Sequence, residues 1–529
     1  MVMDTVMDTA MNNKIPRPYQ ITGFMIFLLS ATTAVAQQGI PRSSDETTLG
    51  RMWFVAPRIS LTETLTDNVN INQPHNGKQG DLITEIAPGI RIEARSARLK
   101  AHLDYALREQ FYGKNSDQNR SQNSLNSFGT FQAVDNWMFM DFSGVIAQQS
   151  ISAFGTQSPS GTNINSNSTE TATSRLSPHI RGQLGGIAEY LLRYNISTTK
   201  SSAANVSDVD VSQWTGQLSG STPFQKMRWS IDGSQQTTDY STGRKTDAET
   251  LRTNLTYSFL PQLRATLSRG RESSNYSSQN QESNTTQGYG IDWTPTERTK
   301  FSAFKEKRFF GHGHKFSLSH RFPMSSIQIS DSKDISVLPN QFNSVGLGSI
   351  YDLYFEQFSS LIPDPVARAN FVNGLLAQSG IDPNAQVTSG FTTSQATVRR
   401  NQQLSFVIFG ARNTITFQAN RGESEGTLAS QASIDPLSQS SIVKQQGLSF
   451  NLSHRLSEIS NLNFLGSRQE STGNGTADLK TSTTLYQLNL STKLGAKTTG
   501  SISARHSEFD GSTNPYTENA LIGTVSFIY

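Results

Sequence analysis

No cysteine occurs among the 529 residues. That absence excludes disulfide scaffolds, thiolate metal sites and a cysteine nucleophile, and it leaves no residue to carry a lipid behind a leader peptide. Long apolar runs are also missing: beyond the N-terminal region no stretch approaches the ~18 consecutive apolar residues of a membrane-spanning helix. Charged residues are few, at 16%, and 45 Lys and Arg against 42 Asp and Glu leave a formal net charge of +3. With no concentrated basic stripe, nucleic acid is not an expected partner. Hydrophobic residues reach only 35%, too little for helical membrane bundles, while the low charge argues against disorder. Ser, Thr, Asn and Gln fill the difference, a mixture suited to strands with one apolar and one polar face. No phosphate loop, dinucleotide fingerprint, calcium loop or Gly-x-Ser-x-Gly elbow is present, so no cofactor and no enzymatic activity are expected.

The N-terminus reads as an export signal. Lys14 and Arg17 precede an apolar segment, Ile21 to Leu29, and Ala34 and Ala36 satisfy the small-residue cleavage rule. A signal peptide at 1–36 is therefore expected, cut before Gln37, then a short periplasmic segment at 37–50. From 51 onward the pattern has period two. Leu99, Ala101, Leu103, Tyr105 and Leu107 share one face, and Lys100, His102, Asp104 and Arg108 the other. Similar runs recur at 227–232, 251–259, 448–453 and 486–494. These alternating cores sit in segments of about ten residues or slightly longer, enough to cross a bilayer when tilted. Links between runs alternate short and long. Short ones fall near Ser96, Asn136, Gly185, Pro223, Pro261, Pro295, Pro323, Ala411, Glu458 and Gly495; longer polar ones lie at 65–80, 113–123, 151–170, 201–208, 239–247, 275–284, 425–440, 472–479 and 510–515. Gly311-His312-Gly313 reads as the one tight link where a long one would fall.

Short periplasmic turns against longer external loops predict an all-β fold: a transmembrane outer-membrane β-barrel over 51–529, with about 22 antiparallel strands (range about 18 to 26). Closure is required because lipid offers no partners to an open sheet edge. The expected location is the outer membrane of a Gram-negative bacterium, with its lipid and its assembly machinery as partners. Val525, Phe527 and Tyr529 share a face of the last strand, and an aromatic final residue resembles the signal read by that machinery.

Residues 332–388 break the pattern and predict a helical insertion. Ser349 to Leu361 and Pro365 to Ser379 read as helices, with Ile350, Leu353, Tyr354 and Phe358 on one face of the first. Phe371, Leu375 and Leu376 give the second an apolar face. Asp364 suits its N-cap, Pro365 its first position and Gly380 its C-terminal cap. By strand parity the insertion starts outside the cell and folds over the mouth or into the lumen. Tyr354, Phe358, Pro363, Asp364, Pro365, Arg368 and Phe371 are the candidate gate or plug residues.

Several segments resemble the outer-membrane proteins associated with the PEP-CTERM/exosortase system: Trp53-Phe54-Val55-Ala56-Pro57 followed by Thr62 to Asn68, Pro88-Gly89-Ile90 running to Leu103-Asp104-Tyr105, and the insertion motif Ile362-Pro363-Asp364-Pro365-Val366-Ala367-Arg368. The resemblance covers nearly the whole mature chain. It implies an outer-membrane barrel in bacteria that sort PEP-CTERM proteins and make exopolysaccharide, hence an exopolysaccharide as a partner and a role as conduit or surface-assembly component. It brings no catalytic residues. A general diffusion porin is the alternative, and an outer-membrane hydrolase a third reading.

Few other residues carry chemistry. His312 and His314, with Glu306 across the strand, could hold a metal or form an exposed polar loop. His320, His454 and His506 are conceivable partners for a strand-borne nucleophile or plain polar residues. Lys305, Lys307 and Arg308 could favour anions in the lumen or meet charged outer-leaflet lipid. Trp53, Trp137, Trp214, Trp229 and Trp293 fit an interfacial girdle, with carbohydrate stacking as the sharper alternative.

Overall fold

The computed structural model describes residues 53–529 apart from 72–76, 159, 338–349, 359–361, 363, 380–389, 429–435, 475–478 and 512–513. The expected signal peptide at 1–36 and segment 37–50 lie outside the described residues, as do Pro363 and Gly380.

Alternation at period two becomes strand after strand. In chain order these are β1 (Trp53–Thr66), β2 (Asp81–Arg95), β3 (Leu99–Tyr112), β4 (Arg120–Val134), β5 (Met138–Ser150), β6 (Ser168–Leu184), β7 (Ala188–Ser201), β8 (Val209–Ser221), β9 (Met227–Tyr240), β10 (Thr246–Leu260) and β11 (Leu263–Ser274). Then follow β12 (Glu282–Thr296), β13 (Thr299–Arg308), β14 (Gly311–Arg321), β15 (Ser325–Ser336), β16 (Thr397–Phe409), β17 (Asn413–Gly426), β18 (Ile442–Arg455), β19 (Ser460–Gly473), β20 (Lys480–Lys493), β21 (Thr498–Gly511) and β22 (Tyr516–Ile528). All belong to one 22-stranded antiparallel sheet in which each strand pairs with the next. β1 also pairs with β22, from Arg58↔Ile528 to Thr66↔Ala520, and this seam closes the barrel. The final residue extends the seam, its Tyr529 amide donating to the Pro57 carbonyl (2.8 Å).

Facing is set by register, because directly paired residues share a face. The outward face carries Ile59, Leu61, Leu255, Leu267, Ile291, Phe450, Leu488, Leu521 and Val525, all more than a third exposed. In water that would be a liability; facing hydrocarbon it is the lipid band of a transmembrane barrel. Inward-facing neighbours such as Ser467, Asn489, Ser491, Ser503 and Ser507 are buried and polar. Among the described residues no helix is long and apolar enough to cross a membrane.

The turns confirm the predicted asymmetry, with two local corrections. Thr294-Pro295-Thr296 belongs to β12, whose turn is Glu297-Arg298, and the tight external link is Phe309-Phe310, which puts His312 and His314 on β14. In the Gly185-Gly186 turn both residues have positive φ (56° and 75°), the backbone of a tight hairpin that a Cβ would strain. The expected insertion at 332–388 is offset: residues 332–336 complete β15, and the connection runs from 337 to 396. It holds α1 (Ile350–Gln357) and α2 (Pro365–Ser379); a further single turn, α3 (Pro436–Gln439), lies before β18.

Candidate functional site

The helices of the 337–396 connection pack inside the barrel. Tyr351, Tyr354 and Phe358 of the first helical segment and Ala369, Val372 and Leu376 of the second form one buried cluster with Leu465 of β19 and Leu485 of β20. Phe128 of β4 and Phe409 of β16 close around it. These strands reach the helices from well-separated arcs of the wall, so the pair packs within the lumen.

Its direction follows from its contacts. Tyr354 near the middle of α1 donates to Asn451 Oδ1 of β18 (2.8 Å). Phe358 meets Phe409 (ring centroids 5.8 Å apart), the last residue of β16 at the periplasmic rim. Asp364 lies 3.9 Å from Lys100 Nζ, beside the periplasmic start of β3. From there α2 climbs back, Asn370 donating to Glu93 Oε2 (2.7 Å) and Asn373 meeting His102 Nε2 (3.5 Å). The hairpin therefore enters from outside and turns close to the periplasmic end.

The cap expected at Asp364 is formed: its carboxylate accepts from the Ala367 amide (2.8 Å), with Pro365 at the first helical position. Arg368 lays its guanidinium over the Phe355 ring (4.3 Å to the centroid) and locks the two helices together. The apolar face of α2 needs correction. Val366, Ala369, Val372 and Leu376 are its buried stripe, whereas Phe371 is 42% exposed and touches Phe358 only edge-on. On α1, Tyr351 is buried with Tyr354 and Phe358; the side chains of Ile350 and Leu353 lie outside the described residues.

Around the plug the lumen wall is polar and ion-paired. Asp104 accepts from Arg58 (2.8 Å) and Arg91 (2.8 Å). Arg308 meets Glu272 (2.5 Å) and Asp334 (2.8 Å), and Arg252 meets Glu306 (2.7 Å). At the mouth, fully buried Glu518 accepts from Thr66 (2.8 Å), Asn163 (2.9 Å), Arg505 (3.0 Å) and Ser507 (3.1 Å). Asn163 belongs to the 151–167 loop, which folds inward and buries Ala153 and Phe154 against Phe391, Leu437 and Val443. Two cavities border the hairpin. One, about 440 Å³, touches Arg58, Arg91, Asp104 and Tyr351. The other, about 900 Å³, is edged by Arg98, Lys100, Asp141, Arg175, Arg193 and Asp364.

Two groups in the external loops titrate away from their ordinary values. Partial burial works to raise Asp67, but the Lys78 ammonium and the Asn519 amide groups outweigh it and hold its carboxyl below the usual range. Burial pushes the Tyr276 phenol up.

The remaining sequence candidates do not converge. His312 and His314 face outward, whereas Glu306 turns into the lumen towards Arg252. Among the described residues no group of three or more His, Asp or Glu side chains is placed to hold a metal. His320, His454 and His506 face outward on separate strands and bond Thr299 (2.7 Å), Asn413 (2.5 Å) and Asn519 (2.8 Å). The basic trio splits, Lys305 and Lys307 pointing out and Arg308 in. Trp53, Trp137, Trp229 and Trp293 sit near the periplasmic rim and Trp214 higher, all outward, as in an interfacial girdle.

A closed, lipid-banded, 22-stranded cylinder decides the setting. The chain is an outer-membrane β-barrel. No family model and no curated protein matches it. Among solved structures its neighbours include the siderophore receptor PirA from Pseudomonas aeruginosa, at 7% identity over 89% of this chain and 80% of that one (TM-score 0.42). They also include the F3-3 variant of the FrpB iron transporter from Neisseria meningitidis, at 10% identity over 91% and 82% (TM-score 0.48). A third is BauA, the ferric preacinetobactin receptor from Acinetobacter baumannii, at 12% identity over 89% and 80% (TM-score 0.44).

Sequence reasoning missed the lumen groups that hold the plug, His102, Glu93 and Asn451. Their signal was present only as polar positions alternating with apolar ones; which of many would meet the hairpin depends on strands far apart in the chain.

Proposed function

We propose that this barrel is a gated conduit, or a surface-assembly component, for an exopolysaccharide handled by a PEP-CTERM/exosortase-type system, with the α1–α2 hairpin as its gate. The observation that carries the reading is the hairpin packed across the lumen, with Tyr354, Phe358 and Leu376 each no more than 2% exposed. A passage for small solutes needs no such obstruction, whereas a conduit for a long polymer must stay shut when empty. The larger cavity supports an anionic cargo, since Arg98, Lys100, Arg175 and Arg193 outnumber Asp141 and Asp364 around it.

Proteoliposomes test the proposal. Long anionic glycans should bind the barrel in a salt-sensitive manner, and swelling in small neutral sugars should stay near that of empty vesicles. Rapid swelling in small sugars without glycan binding would favour a general diffusion pore instead.

A further inference from the structure

We propose that the outward face of β13–β16, at its external end, is a binding site for the phosphate groups of an outer-leaflet glycolipid. Lys305, His314, Lys333 and Arg400 are successive cross-strand partners in one continuous row. Lys307 and His312 pair directly beside them, nearer the external Phe309-Phe310 turn. Like charges directly opposite one another on a sheet repel, as Lys333 and Arg400 are, so an anion lying over the row would relieve that cost. The protein supplies one carboxylate just below the row, on the same face, where Asp331 pairs with Phe316 and Gln402. Asp331 accepts from His314 Nε2 (3.0 Å), Arg400 Nη2 (2.7 Å) and Gln402 Nε2 (3.0 Å), which holds His314 and Arg400 and leaves the lysines free of it. Glu423 pairs with Arg400 at the far edge. Lys305 and Lys307 are exposed and form no ion pair with a described residue, and the Lys333 ammonium lies 6.0 Å over the Phe310 ring.

What lies beneath the row selects a lipid over a soluble anion. On the same outward face, one step towards the periplasm, come Ala303 and Phe316 beside Asp331 and Gln402, then the fully apolar step Phe301, Leu318, Ile329 and Leu404 in register. A headgroup phosphate on the lysines would thus lay its acyl chains on this apolar strip. The outward rim elsewhere carries carboxylates too. On β1, β3 and β21 the outward positions near the external end are Glu63, Glu109 and Glu508.

The test uses the full-length barrel purified in mild detergent, with a bisphosphorylated lipid A-type glycolipid as probe and native mass spectrometry as readout. The barrel should retain the glycolipid, and the K305Q/K307Q/K333Q variant should retain at least about tenfold less. The charge-keeping K305R/K307R/K333R variant should hold it, and unchanged heat-modifiable gel migration shows that both variants fold. The dephosphorylated glycolipid should bind poorly, and inorganic phosphate at equal concentration should not displace the lipid. Equal retention by the glutamine variant, or equal binding of the dephosphorylated lipid, would overturn the proposal. Displacement by inorganic phosphate alone would assign the row to a soluble anion and overturn it equally.

Discussion

Single side chains show how this barrel is latched. Asp67, just beyond β1, accepts from Lys78 (2.7 Å) and from the amide and side chain of Asn519 (2.7 and 2.8 Å) on β22, fastening the first loop across the closing seam. Its folded-state value lies below the ordinary one. The latch therefore contributes fully above the ordinary aspartate value and is lost as pH falls through the lower folded value. Amide exchange at Asn519 should stay slow through neutral and mildly acidic pH and quicken only in strong acid; D67N should show fast exchange throughout. At the plug, Leu376 is completely buried among aromatic and aliphatic neighbours. L376A should weaken hairpin docking by about 2–5 kcal/mol, the cost of a large-to-small change in a packed site. Limited proteolysis within 350–379 reads this directly, and unchanged protection would mean that the hairpin is held elsewhere.

At the scale of elements, strands and helices were legible to different degrees. Strands announced themselves because each faces two solvents: Leu103 and Tyr105 alternate with His102 and Asp104, and Tyr486 and Leu488 with Gln487 and Asn489. Turn chemistry at Gly185-Gly186 and the short-long alternation of the links carried the strand count. The helices were legible from Asp364-Pro365, an N-cap followed by a residue that fits only the first turn. Their docking face was not. Phe371, Leu375 and Leu376 are the expected apolar face, and of these Leu376 is fully buried, but the rest of the buried stripe of α2 is Val366, Ala369 and Val372 while Phe371 is exposed. Small residues let the helix approach the wall closely, and no local pattern reveals which wall that is. The His312 position was misread for a related reason: Gly311 and Gly313 resemble a turn, but the chain turns two residues earlier, with Gly311 at φ 102° as the first residue of β14.

For the whole molecule, the outside must be lipid and the inside must not. The same charge should thus have opposite consequences on the two faces of one strand. Leu488 is outward and 48% exposed, while Leu485, on the other face of β20, is buried against the plug. Arginine at Leu488 should lower the stability of the barrel in bilayers by about 2–4 kcal/mol, as for a charge near the midplane of a lipid face. A urea titration in vesicles measures this, and a null effect would place β20 out of contact with hydrocarbon. Charge on the outward rim varies from strand to strand, with Lys305 and Lys333 on β13 and β15 and Glu63 and Glu508 on β1 and β21, so the cylinder does not present the same surface to lipid all round.

The central claim is that a hairpin entering from outside holds an otherwise continuous passage shut. Single-channel recording in planar bilayers, comparing the intact barrel with one in which residues 350–379 are replaced by a short flexible linker, tests it most directly. The intact protein should show little or no steady conductance, and the shortened one a stable open level several-fold larger. Equal conductance in the two, with the shortened barrel still folded, would contradict the account.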